Sequence, residues 1–74
     1  MAKTPIVSFE DVLRVLAKLG YVVARQKGSH LRLRASGRPP VTVPSHNPVA
    51  PGTLRSVLKT IGLSVEQFVE LLKR

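Results

Sequence analysis

The 74-residue chain contains no cysteine and no tryptophan. The first absence removes disulfides, thiolate nucleophiles and the common cysteine-based zinc sites. Four Asp and Glu with two His make a poor ligand set, so neither a metal nor another cofactor is expected. No apolar run is long enough to cross a bilayer, and the opening MAKTPIVSFEDV lacks the apolar stretch of a signal peptide. No helix-forming segment combines apolar and basic faces with Trp or Phe anchors, so a membrane surface is not an expected partner. These absences predict a soluble, unexported chain and fit a reducing cytoplasm. Also missing are a phosphate-cradling glycine loop, a nucleophile elbow, paired carboxylates and a His-x-x-x-His spacing, which removes support for ATPase, hydrolase and metalloprotease chemistry.

What the chain has in excess is positive charge. Twelve Lys and Arg against the four acids give a net charge of +8, which attracts polyanions and makes nucleic acid the leading partner class. The length predicts one small domain over 1–74 with a modest core, since a chain of this size buries roughly 60% of the surface it exposes when unfolded.

Local signals divide the chain into six elements. Ser8 with Asp11 reads as a capping box, Val7 and Val12 stand at staple spacing, and Phe9, Val12, Leu13, Leu16 and Leu19 recur at helical steps until Gly20, a candidate left-handed cap. This predicts a helix over 9–19. Residues 21–44 turn to β-branched and alternating patterns, interrupted by KGS and SGRPP, which predicts strands at 21–27, 30–35 and 41–44. Pro44 and Pro48 close the β region, and a loop over 45–51 follows. Leu54, Val57, Leu58 and Ile61 form a second helical stripe stopped by Gly62. Ser64 with Gln67 then opens a third helix, with Leu63 and Phe68 at staple spacing. The expected fold is α+β, in the order α-β-β-β-α-α, with a three-stranded antiparallel sheet covered by helices on one face.

The segment RQKGSHLRLR carries the candidate chemistry. A two-residue Gly28-Ser29 turn sets Lys27 opposite His30 and Arg25 opposite Arg32. Period-two alternation then gathers Arg25, Lys27, His30, Arg32 and Arg34 on one face and assigns Val22, Ala24, Leu31, Leu33 and Ala35 to the other, beneath the helices. Like charges directly opposite one another destabilise a sheet, so a face chosen for stability alone would not pair Arg25 with Arg32, and an anionic ligand is the natural compensation. The plain alternative is an open sheet face that is simply polar and basic. A metal-free ribonuclease needs a group to draw the proton from a 2′-hydroxyl and cations to stabilise the phosphate. His30 suits the first task and Arg25, Lys27, Arg32 and Arg34, with the turn residues Gly28 and Ser29, the second. DNA lacks the attacking hydroxyl.

Two other places are open to two readings each. His46, in VPSHN, is either a second acid or base or a plain loop histidine. Thr53 and Arg55, in PGTLRS, either contact phosphate at a helix start or belong to an ordinary capped helix. The rival function for the whole chain is a non-catalytic module that binds duplex or hairpin RNA on the same basic face. A simple binder gains from Lys or Arg where His30 stands, whereas a nuclease needs a group that exchanges protons near neutral pH.

Across LAKLGYVVARQKGSHLRLR, VTVPSH and PGTLRSVLKTIGLSVEQFVELL the chain resembles the HicA toxin family, also called YcfA-like. The resemblance implies a double-stranded-RNA-binding-domain-like fold, metal-independent cleavage of mRNA with arrest of translation, and neutralisation by a HicB-like antitoxin. The histidine of the family's Gly-Ser-His falls on His30. The proline-rich SGRPP and the loop HNPVAPGT depart from the more polar and charged loops of relatives. An antitoxin presenting acidic groups to the face of Arg25, Lys27, His30, Arg32 and Arg34 would occlude and neutralise it in one event, with association slowed by salt.

Overall fold

The computed structural model describes residues 4–74; the first three residues of the opening segment lie outside it. The elements are α1 (Phe9–Lys18), β1 (Val22–Lys27), β2 (His30–Ala35), β3 (Arg38–Pro44), α2 (Pro51–Ile61) and α3 (Val65–Lys73), so the α-β-β-β-α-α order holds. No helix among the described residues is long and apolar enough to cross a membrane.

The helix boundaries follow their caps. Ser8 Oγ accepts from the Asp11 N–H at 3.0 Å while the Ser8 N–H donates to Asp11 Oδ2 at 3.2 Å, and Val7 and Val12 are both buried beside this box. α1 ends when Gly20, at φ 91°, lets its own N–H reach the Ala17 carbonyl and the Tyr21 N–H reach that of Leu16. Ser64 and Gln67 repeat the reciprocal cap at the start of α3. α2 departs from expectation, for its N-cap is Ala50 and no side chain caps it. Pro51 at its first position lacks the N–H that would need a cap, and its fixed φ already suits a helix.

The sheet is antiparallel in the order β1-β2-β3. Leu31 and Leu33 on β2 lie opposite Val43 and Val41 on β3, and all four are buried with the stripes of α1 and α2 in one hydrophobic cluster. Phe68 of α3 closes it at 1% exposure, a burial worth about 1.5–3 kcal/mol. α3 is held to α1 from outside by Lys18, whose Nζ donates to the carbonyls of Leu71 and Arg74, both at 2.6 Å. A cation there also meets the negative end of the helix dipole.

Two expectations fail along the strands. Val22 and Ala24 do not lie under the helices: every residue of β1 is exposed. The pairing slips between Val23 and Arg25, so Ala24 is the extra residue of a bulge, Val22 stands opposite Arg34 on the open side, and Val23 stands opposite Leu33. Even Val23 remains 52% exposed because α2 packs against β3 and leaves β1 bare. The residue that enters the core is Tyr21, expected in the strand. It precedes β1, is 3% exposed, and its hydroxyl donates to the Pro39 carbonyl at 2.7 Å. Secondly, β3 begins at Arg38 rather than residue 41, since the turn is only Ser36-Gly37, with Gly37 at φ 74°. Pro39 and Pro40 are tolerated because the β2–β3 register shifts between Leu33 and Ala35, where neither proline is a registered partner of β2, and because the outer side of an edge strand has no ladder to break.

Candidate nucleic-acid interface and active site

The hairpin register is the expected one at its tip. Lys27 pairs with His30, and Arg25 with Arg32, across the two-residue turn Gly28-Ser29. Gly28 adopts φ 58°, a left-handed value that glycine accepts at no steric cost, and its position as first central residue of the turn matches the twist of the strands it joins. On the far side of β2, His30 pairs with Pro44 and Arg32 with Thr42. The open face therefore carries two rows, Lys27-His30-Pro44 and Arg25-Arg32-Thr42, with direct neighbours in a row about 5 Å apart at Cβ.

These rows enclose a shallow cleft of about 240 Å³ lined by Arg25, Lys27, His30, Arg32 and Thr42. His30 is exposed within it, so its imidazole is reachable by a polymer lying across the sheet. The strand ends are fixed from below, as the half-buried Ser29 offers its carbonyl to the Ser45 N–H at 2.6 Å. This bond continues the β2–β3 ladder one step past His30 and holds the turn against β3.

The cations of the face have no acid beside them. All four carboxylates of the chain, Glu10, Asp11, Glu66 and Glu70, belong to α1 and α3. Asp11 is engaged by Arg14 at 2.7 Å and Glu70 by Arg74 at 3.7 Å. The sheet thus leaves Arg25, Lys27, Arg32 and Arg34 uncompensated within their own layer, with Arg25 directly opposed to Arg32. An anion set in the cleft relieves that repulsion.

Arg34 shares the face but stands beyond the cleft, opposite Val22. Gly28 and Ser29 shape the cleft's end rather than its lining. His46 is exposed in the following loop, with its N–H on the Pro44 carbonyl at 3.0 Å, and does not line the cleft. Nor do Thr53, half-buried in the first turn of α2, and Arg55, exposed on the same helix; α2 packs on the apolar side of the sheet. Two contributors went unread in the sequence. Thr42 was signalled by the alternation Val41-Thr42-Val43, which turns its hydroxyl to the side away from the buried valines. Asn47 carried no signal: its Oδ1 accepts the Phe9 N–H at 2.6 Å and its Nδ2 donates to Glu10 at 3.2 Å, tying the loop that bears His46 to the start of α1.

One open face of this small α+β fold thus holds a histidine among uncompensated cations. A family model described as HicA toxin of bacterial toxin-antitoxin matches residues 9–63, from the start of α1 through the end of α2. The chain belongs to the HicA toxin family, and is on that ground the toxin member of a toxin-antitoxin system, with a cognate antitoxin as partner. No curated protein matches it.

Proposed function

We propose that this toxin is a metal-independent endoribonuclease that cuts mRNA in the cytoplasm and so arrests translation, until a HicB-like antitoxin covers it. The observation that carries the reading is the cleft in which His30 shares one open sheet face with Arg25, Lys27 and Arg32. His30 takes the proton of a 2′-hydroxyl as its oxygen attacks the adjacent phosphorus. The bond from phosphorus to the 5′-oxygen breaks, leaving a cyclic phosphate, and the departing oxygen takes up a proton from the imidazolium or from water. Arg25, Lys27 and Arg32 balance the charge that gathers on the phosphate oxygens, and the Thr42 hydroxyl adds a donor. Arg34 and the Gly28-Ser29 turn extend the track along which the strand lies, whereas His46, Thr53 and Arg55 are given no step.

The test is cleavage of a labelled RNA in EDTA by the wild type and by His30→Ala, with folding of both checked by circular dichroism. The variant is expected to lose about 10²–10⁴-fold in rate, the usual contribution of a general acid or base. Undiminished cleavage by a folded variant removes His30 from the mechanism. A wild type that binds the RNA and never cuts it is a non-catalytic RNA-binding module instead.

A further inference from the structure

The sheet has two edges, and only β3 is closed. Along β3, Pro39, Pro40 and Pro44 offer no N–H to an incoming strand, which blunts that edge. β1 has no proline and is exposed at all six positions, and it holds Val22 and Val23 at 65% and 52% exposure. Its bulge at Ala24 interrupts the edge, but Arg25, Gln26 and Lys27 pair regularly with β2. Lys27 and His30 flank a two-residue turn and therefore face their backbone groups at each other, so alternation turns the N–H and C=O of Gln26 outward.

We propose that the free edge of β1 is the docking line for an extended, acidic segment of the antitoxin, which joins the sheet as a fourth strand. The proposal rests on the reading of the chain as a toxin with a protein partner, and adds to it where and how that partner holds. Charge selects the occupant. A second copy would bring Arg25 and Lys27 up to the same residues, on two molecules of net charge +8 each. RNA has no peptide ladder to continue and gains nothing from Val23. A segment with Asp or Glu at alternate positions meets Arg25 and Lys27 on the cleft side while its intervening apolar residues cover Val23. Such a strand forms a wall beside the cleft and withdraws two of its cations without touching His30.

The experiment follows amide hydrogen exchange at Gln26 by NMR in the intact chain. The probes are a synthetic eight-residue peptide alternating Glu and Val, a peptide with the same residues in two blocks, and a single-stranded RNA oligonucleotide. Exchange at Gln26 is expected to slow tenfold or more with the alternating peptide alone, and Gln26→Pro, which removes the outward donor, is expected to weaken its binding tenfold while RNA cleavage is retained. The proposal is overturned by no binding of the alternating peptide, by binding that leaves Gln26 exchange unchanged, by equal protection from the block peptide or RNA, or by protection that grows with the concentration of the chain alone. If Gln26→Pro does not fold, the wild-type exchange data decide. Cleavage assayed on the same sample reports separately on the ribonuclease reading: protection without cleavage sinks that reading and leaves the docking line standing.

Discussion

β1 and β3 border the same strand, carry valines in similar number, and have opposite fates. In β3 the valines alternate, Val41 and Val43, so both point to the helices and both are buried. In β1 they are adjacent, Val22 and Val23, and point to opposite faces, so a sheet covered on one side can bury at most one of them. The bulge at Ala24 and the distance from α2 then leave both in solvent. One edge of the sheet is thus built for stability, while the other is kept available along with the cations it carries.

A carboxylate placed on each edge should separate the two strands most widely. Val43→Asp sets an unpaired charge at a position of 0% exposure and is expected to cost several kcal/mol, enough to unfold so small a chain. Val23→Asp is expected to shift stability by no more than about 0.5 kcal/mol. Urea denaturation followed by circular dichroism measures both, and comparable losses would mean that β1 is packed after all.

A smaller effect is expected from the outer lock on the helix layer. Lys18→Met retains the aliphatic stem but removes the donor to Leu71 and Arg74, so it should lose about 1 kcal/mol and expose the α3 amides to faster hydrogen exchange than those of β2. Uniform loss of protection across the molecule would show instead that α3 does not open on its own.

The smallest change should have the opposite sign. Arg32→Thr ends the direct opposition to Arg25 and is expected to raise stability by a few tenths of a kcal/mol while slowing RNA cleavage about tenfold. A variant that gains neither stability nor loses activity would show that the pair is fully solvated and idle.

Features set by neighbours in sequence were legible. Ser8, Ser64, Gly20 and Gly62 announced their helix ends because capping is a matter of three or four residues, and Gly28-Ser29 set the register that places His30 among Arg25, Lys27 and Arg32. Features set by packing were not. Nothing in VVAR says that α2 will lie over β3 instead of β1, so alternation alone points Val22 and Ala24 to a core that never reaches them. Pro39 and Pro40 read as turn because proline is excluded from central strands, and only the edge position of β3 together with its register shift between Leu33 and Ala35 admits them. Thr42 entered the cleft through pairing with Arg32, a contact that alternation implied but whose partner only the β2–β3 register supplied.

The placement of Phe68 bears on how this protein comes into being. The last helix supplies one of the largest fully buried side chains and is clasped by Lys18 across 53 and 56 residues of chain. While a ribosome is still producing the chain, α1 and the strands emerge with that part of the core unfilled, and a small domain has few kcal/mol to offset such a gap. Because α3 is made after α1 and all three strands, the core beneath the cleft stays short of its largest fully buried side chain until residues 65–73 have joined it.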